Sequence, residues 1–304
     1  MARIAYANGR YCRLDTHTGA GPIAIEDRGL QFADSVYEVI KVVAGRPRAL
    51  GRHVERLGRS LAALEISPPM TPAALALVLR EVWRRNRLSD GLIYIQVTRG
   101  TAVRRHGFPA PCKPSLIVTV RAPGFSSVAE RAHGIAVITV PDLRWGRCDI
   151  KSTSLLPNVL ARQRAEAEGA REAWMVDRDG MVTEGTSSNA YIVDRTGRLI
   201  TQPLSESILG GVTRSLLLEL AGCQGVDIVE RPFSRSDALA ASEAALSSTS
   251  SWLLPVVAID GQPVGDGRPG PVIQRLINAY EGSVIESQKT NKSRNVQQSW
   301  QING

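Results

Sequence analysis

The sequence predicts a two-domain α/β protein, and three observations lead to that fold class. A chain of 304 residues is long for a single domain, since domains most often hold about 100–150 residues. Strand-like and helix-like segments succeed one another up to the turn at Pro123–Gly124, and a second series starts near Gly134. We therefore divide the chain into a small α/β domain (1–122), a larger domain (123–286) and a polar tail (287–304).

The first domain is predicted to have two layers, a sheet and two helices. Asn8–Gly9 is a hairpin signal between two short strands within 3–14. Val54, Leu57, Leu61 and Leu64 recur at helical spacing and predict a helix that begins near Gly51 and ends before Pro68–Pro69. The other elements predicted for this domain are strands at 36–43, 92–98 and 115–121 and a helix at 72–87.

The second domain is predicted to mix strands and helices around an irregular segment at 141–157. Its predicted strands are at 134–140, 172–176, 189–194, 244–248 and 255–259, and its helices at 158–168, 213–223 and 271–282. From Ser287 onward the chain is rich in Gln, Asn, Ser and Lys, a composition that predicts a mobile end.

Composition excludes several classes of function. The net charge of +8 could attract a polyanion, but the arginines are scattered without a run of five like charges, so we expect no nucleic acid partner. The four cysteines and four histidines show no metal-binding spacing, and we expect no metal. We also expect no membrane span and a cytoplasmic location, because long apolar stretches and a signal-peptide pattern are both missing.

Four features could carry chemistry, and each has an ordinary alternative. Lys151 stands in the irregular segment and could be a catalytic amine or a solvated surface charge. Small hydroxyl and glycine residues at 183–189, 210–214 and 247–251 could bind phosphate through backbone amides or could be plain loops. Since neither GxxxxGK[ST] nor GxGxxG is present, ordinary nucleotide cofactors are not expected.

Six strings in the sequence resemble, in the same order, the motifs of the fold-type IV, or class IV, aminotransferases, which depend on pyridoxal 5′-phosphate (PLP). The strings lie at 26–32, 36–40, 98–100, 149–152, 183–189 and 211–214. The resemblance covers residues 3–284, nearly the whole chain. It implies a small two-layer α/β domain, a larger β-barrel-like domain with helices, and PLP as the cofactor.

The resemblance also implies a role for individual residues. Lys151 stands where the family's catalytic lysine binds PLP covalently, and Glu184 where a carboxylate faces the pyridine nitrogen. Arg56 matches the arginine that holds the phosphate, and Leu209 matches the apolar residue that packs on the ring. The remaining residues that match the phosphate site are Ser188, Val212, Thr213, Ser248 and Thr249.

The substrate side resembles the D-amino acid aminotransferases of this family. In those enzymes a tyrosine and an Arg-x-His pair bind the substrate's α-carboxylate, and Tyr37, Arg104 and His106 match them without a gap. Arg105 departs from the pattern, because we expect a small neutral residue there. The resemblance implies ping-pong transamination between D-amino acids and 2-oxo acids, in a homodimer whose subunits share active sites.

Two alternatives stay open at this point. The cofactor motifs are common to branched-chain L-amino acid aminotransferases, amine transaminases and aminodeoxychorismate lyases, so they identify the fold better than the substrate. From a different class, a basic and non-catalytic binding protein could keep the same fold. Activity with D-alanine against L-leucine separates the first group, and the visible absorption band of lysine-bound PLP tests the second.

Overall fold

The computed structural model describes residues 3–14, 23–290 and 299–302, with the backbone alone for 283–290. These residues group into two compact units. The first holds the described residues up to Gly124, the segment Ile150–Ser154 and residues 299–302. The second holds Phe125–Asp149 and the residues from Leu155 to the end of the last helix. The predicted α/β fold class is confirmed.

The first unit is a six-stranded antiparallel sheet in the order β2-β1-β6-β5-β3-β4. Its strands are β1 (Arg3–Ala7), β2 (Arg10–Leu14), β3 (Ser35–Val43), β4 (Arg46–Pro47), β5 (Gly91–Thr98) and β6 (Ser115–Arg121). Its helices are α1 (Arg28–Phe32), α2 (Leu50–Ala63) and α3 (Pro72–Asn86). Short helix α1 was not predicted, because five residues are too few for a periodic pattern.

Alternation along the strands builds the core of this unit. Val36, Ile40 and Val42 of β3 are fully buried, and they pack in one cluster with the apolar face of α2, including Leu57 and Leu61. Helix α3 begins with Pro72 after its N-cap Thr71, whose side chain accepts a hydrogen bond from the amide of Ala74. The hairpin predicted at Asn8–Gly9 is confirmed, with both residues at positive φ.

Two segments lie differently from the sequence division. Residues 150–154, placed in the second domain by sequence, group with the first unit, because they pair with the beginning of β3 and bury Ile150 in its core. The tail was expected to be mobile, but helix α8 (Pro271–Thr290) extends into it and Trp300 is 4% exposed in the first unit's core. Residues 291–298 and 303–304 lie outside the described residues.

The second unit is a nine-stranded mixed sheet in the order β12-β11-β10-β13-β14-β7-β8-β9, with β15 paired to β14. Its strands are β7 (Ile135–Pro141), β8 (Glu172–Val176), β9 (Val182–Gly185), β10 (Asn189–Val193), β11 (Leu199–Thr201), β12 (Ile228–Glu230), β13 (Glu243–Ser248), β14 (Trp252–Ile259) and β15 (Gln262–Pro263). Its helices are α4 (Val128–His133), α5 (Leu156–Ala167), α6 (Val212–Cys223), α7 (Arg235–Ala240) and α8.

The sheet of the second unit curls, as the predicted barrel-like domain requires. Strand β9, at one end of the order, also packs against β10 near the other end. Side chains are buried on both faces of the sheet, among them Trp174, Tyr191 and Ile192. The short elements β9, β11, β12, α4 and α7 were not predicted, since three to six residues give little periodicity.

None of the helices in the described part of the chain combines the length and the apolar character needed to cross a bilayer.

Candidate active site

Lys151 is held by its main chain against the beginning of β3. Its carbonyl accepts a hydrogen bond of 2.9 Å from the amide of Tyr37, and its own amide donates to Ser60 Oγ at 3.2 Å. Ser152 forms a β-bridge with Val36. The side chain then lies over the ring of Tyr37, with Nζ 4.3 Å from the ring centroid. Two predicted site residues are therefore in contact, and the lysine's position is set by backbone pairing.

Tyr37 lies on the face of β3 opposite the buried core. Its ring stacks on Tyr94 of the paired strand β5, with centroids 5.7 Å apart. Burial, and secondarily the neighbouring Tyr37, raises the pKa of Tyr94 to about 12, so Tyr94 stays a neutral hydrogen-bond donor to Gln96. Tyr37 is thus fixed by an aromatic partner on one side and a cation near its ring.

A buried charge cluster lies between β3 and α2, and the sequence did not single out two of its members. Glu38 is 0% exposed, and His53 Nδ1 lies 3.1 Å from its Oε1. Burial alone would raise the pKa of Glu38, but the Arg56 guanidinium and His53 outweigh it and hold that pKa well below the usual range. Burial lowers the pKa of His53, and the positive charges of Arg56 and Lys151 act in the same direction. Glu38 is therefore ionised and His53 neutral near pH 7.

Arg56 is committed to this cluster by two parallel hydrogen bonds. Its Nε donates to Glu38 Oε2 at 2.9 Å and its Nη2 to Oε1 at 2.7 Å. The fork geometry that suits a phosphate is here matched to a carboxylate. The predicted phosphate contact of Arg56 stays a prediction.

Glu184 is the centre of a hydrogen-bond network in the second unit. Its Oε2 accepts from Asn189 Nδ2 and from the amide of Leu209, each at 3.1 Å. Its Oε1 accepts from Arg144 Nη1. Asn189 also donates to the carbonyl of Leu209 at 3.0 Å, so it links the two predicted site residues Glu184 and Leu209. Both carboxylate oxygens of Glu184 are therefore held in fixed directions.

Arg144 was missed by sequence reasoning, although it pairs directly with Glu184. Its side chain is 5% exposed and forms a bidentate pair with Asp142, at 2.9 and 2.6 Å. Burial alone would raise the pKa of Asp142, but Arg144 lowers it below the usual range. The only sequence signal was an Asp-x-Arg pair in the irregular segment, which is also common on surfaces.

Helix α6 begins at the predicted phosphate site. Its N-cap is Gly211, which offers no side chain to the free amides of the first turn, at Val212 and Thr213. A Cβ on Gly211 would collide with Asn189 Oδ1, so only glycine lets the chain pass so close. Val212 and Thr213 are buried. These amides, at the positive end of a helix dipole, form a site suited to an anion.

Hydroxyl groups from two neighbouring strands lie near one another in this unit. Asn189 of β10 is opposite Ser247 of β13, so Ser188 and Ser248 leave paired strands at the same end. Ser188 Oγ lies 3.4 Å from the buried carboxylate of Glu172. Ser248 Oγ accepts from the amide of Ser251 at 3.1 Å and so shapes the turn that carries Thr249.

Arg104 and His106 lie in the first unit on an exposed loop. Both contact the ring of Phe32: the Arg104 guanidinium is 5.0 Å and the His106 ring 5.6 Å from its centroid. Arg105 donates to the carbonyl of Phe108 at 3.1 Å. Like Lys151, Tyr37 and Arg56, this loop belongs to the first unit, whereas Glu184 and the α6 site belong to the second.

Comparisons with known proteins agree with these features. Over 269 residues the chain is 39% identical to the D-alanine aminotransferase of Bacillus licheniformis, covering 88% of this chain and 94% of that protein. The branched-chain amino acid aminotransferase of Escherichia coli has the same fold, with a TM-score of 0.84, 25% identity, and 93% and 94% of the two chains covered. The T.th. branched-chain enzyme, solved with pyridoxamine 5′-phosphate, gives 0.83 at 25% identity and the same coverage.

The sequence profile of the amino-transferase class IV family matches residues 35–259. That range contains Lys151, Glu184 and the first turn of α6. The chain belongs to the class IV aminotransferases, and it is an aminotransferase.

Proposed function

We propose that this protein transfers the amino group of a D-amino acid, such as D-alanine, to a 2-oxo acid, such as 2-oxoglutarate, in a ping-pong cycle with PLP. The observation that carries the proposal is the 39% identity to a D-alanine aminotransferase over 94% of that protein's length. The carboxylate-binding residues expected of such an enzyme, Tyr37, Arg104 and His106, are all present in register. Activity with D-alanine against L-leucine, each with 2-oxoglutarate, tests it.

The residues present fit PLP. The uncapped first turn of α6, where a Cβ on Gly211 would collide with Asn189, provides amides for the phosphate. Arg56 is the proposed cationic partner, with Glu38 fixing its orientation. Leu209, whose main chain is tied to Glu184 and Asn189, would pack on the ring. The further candidates for the phosphate are the hydroxyl side chains of Ser188, Thr213, Ser248 and Thr249.

When bound, PLP supplies a conjugated ring that accepts the electron pair left at the substrate's α-carbon as its proton departs. Glu184 would hold a proton on the pyridine nitrogen by accepting a hydrogen bond from it. Arg144 and Asn189 keep the carboxylate of Glu184 turned in one direction, so it needs no reorganisation during the reaction.

Lys151 is the proposed base and acid. As a free amine, its Nζ would take the α-proton of the substrate and return it on the cofactor side. Pairing of its main chain with Tyr37 and Ser60 keeps Nζ beside the tyrosine ring, which limits the directions from which it can reach a proton.

Handedness would follow from where the carboxylate is held. Tyr37, Arg104 and His106 provide a phenol, a guanidinium and an imidazole, all suited to a carboxylate. With the carboxylate fixed on that side and the amino group held at the cofactor, only one enantiomer directs its α-hydrogen toward Lys151.

We also propose that the active protein is a homodimer in which the Arg104–His106 loop of one subunit completes the site of the other. The loop and its surroundings expose large apolar side chains, as interface regions do. Val103 is 77% and Phe108 52% exposed, and Leu30 of α1 is 71% exposed. A closed symmetric dimer would bury such residues and complete both sites together.

Mixing two inactive variants, Lys151→Ala and Arg104→Ala, is expected to restore activity. In a mixed dimer one of the two sites keeps every group, so complete random exchange should give about a quarter of the wild-type activity. Turnover of D-alanine is measured before and after subunit exchange, and exchange is verified by mass spectrometry of the intact dimers. Verified mixed dimers without activity would contradict the shared site, as would a fully active monomer.

A second candidate is transamination of L-branched-chain amino acids. The observation in its favour is the TM-score of 0.84 to a branched-chain enzyme. That likeness comes at 25% identity, against 39% for the D-alanine enzyme, and fold alone does not choose a substrate.

A further inference from the structure

We propose that Arg28 is a positioning residue for substrate binding: its buried guanidinium fixes the main chain of the Arg104–His106 loop and thereby sets the affinity for the α-carboxylate. This inference rests on the proposed function, since it assumes that Arg104 and His106 bind that carboxylate. Arg28 itself makes no contact with substrate in this account and acts only through the loop.

Arg28 is 3% exposed and directs its donors to the loop and to Asp34. Its Nη1 donates to the carbonyl of Arg105 at 2.6 Å, and its Nη2 to the carbonyl of His106 at 3.3 Å. Its Nε donates to Asp34 Oδ2 at 2.7 Å. The loop carbonyls are those of the residue between Arg104 and His106 and of His106 itself, so one guanidinium holds the main chain of the carboxylate-binding pair.

A second arginine holds the far end of the loop through the same carboxylate. Arg99 donates from Nε to Asp34 Oδ2 at 2.8 Å, and its other nitrogens donate to the carbonyls of Leu64 and Glu65. Its guanidinium lies 3.5 Å from the centroid of the Phe108 ring. The cation–π contact fixes the loop just beyond His106.

Helix α1 provides the base on which the loop lies. The Phe32 ring contacts the guanidinium of Arg28 at 4.8 Å and that of Arg104 at 5.0 Å, and it also contacts His106. The amide of Arg28 donates to the carbonyl of Gly100 at 2.9 Å, where the loop begins. The loop is therefore held at its start, its middle and its end, although residues 103–108 are exposed.

The chemistry of arginine explains why this position needs it. A guanidinium presents five donors in a rigid plane and can serve Asp34 and two carbonyls at once, whereas an ammonium is a point charge. Breaking these bonds would leave buried or partly buried acceptors without a donor, which makes the loop conformation costly to change. A displacement of about 1 Å in a binding group is enough to cost on the order of 10²-fold.

The test compares Arg28→Gln and Arg28→Lys with the wild-type holoenzyme. Gln keeps an amide donor and leaves Asp34 in a balanced pair with Arg99, so it is the variant better suited to folding. Both are expected to raise KM for D-alanine by roughly 10- to 100-fold with kcat little changed. The visible band of the lysine-bound cofactor and the melting temperature are measured in parallel. Arg131→Lys is the matched control, because Arg131 also donates to a main-chain carbonyl, that of Ser126.

A double-mutant cycle separates positioning from general stability. In an Arg104→Ala background, Arg28→Gln is expected to change KM by less than about 2-fold, because the group it positions is gone. An unchanged KM in the single variant, or the same loss with and without Arg104, would overturn the inference. If Arg104→Ala by itself left KM unchanged, the proposed carboxylate trap would fail instead, so the two failures are distinguishable.

Discussion

Replacing Lys151 with alanine is expected to lower turnover of D-alanine by on the order of 10⁴-fold. The variant loses the amine that moves the α-proton and the covalent link to the cofactor. It should still fold, because Lys151 is held by its own carbonyl and amide, and alanine keeps both bonds to Tyr37 and Ser60. Steady-state turnover, far-UV circular dichroism and the visible absorption band are the measurements.

A direct readout accompanies the activity assay. Borohydride reduction of wild-type holoenzyme should attach the cofactor to the peptide that contains Lys151, and the alanine variant should lack both the band and the attachment. Lys113→Ala is the control, since Lys113 is exposed and should leave turnover unchanged. Turnover of the Lys151 variant at wild-type level, or cofactor attached to another lysine, would end this assignment.

Replacing Glu184 with glutamine is expected to lower kcat by about 10²- to 10³-fold, with a smaller change in KM. The amide cannot stabilise a proton on the ring nitrogen as a carboxylate does, so the ring becomes a weaker electron acceptor. Folding should be nearly intact, because Arg144 keeps its bidentate pair with Asp142 and glutamine keeps one acceptor oxygen.

The matched control for Glu184 is Glu168→Gln. Glu168 also pairs with an arginine, Arg164, but on an exposed surface at the end of α5, where such pairs contribute little. It should leave kcat and KM unchanged. A Glu184→Gln enzyme with the wild-type rate would mean that another group serves the ring nitrogen.

Local patterns predicted most of the long elements. The Asn8–Gly9 turn, the apolar face of α2 and the first turn of α3 each depend on residues within a short stretch of chain, and each was found. The candidate residues of the cofactor site came from the family resemblance rather than from pattern, because a lysine in an irregular segment has no distinguishing local signal. The Ser188 and Ser248 turns were recognisable only as loops.

What the sequence could not predict are contacts between distant positions. Arg144 reaches Glu184 across 40 residues, and Arg28 reaches the carbonyl of Arg105 across 77. Glu38 could have been noticed, since strand alternation places it on the buried face with Val36 and Ile40. Its neutralisation by Arg56 still depends on how α2 packs on the sheet, which no local rule specifies.

The most direct test of the central claim is the choice between two amino acids. Purified enzyme loaded with PLP is assayed with D-alanine and with L-leucine, each with 2-oxoglutarate, and the two values of kcat/KM are compared. The account predicts clear turnover of D-alanine and a value for L-leucine lower by at least roughly 10²-fold, since the wrong enantiomer directs its α-hydrogen away from Lys151. Faster turnover of L-leucine would contradict it, and so would the absence of turnover with both.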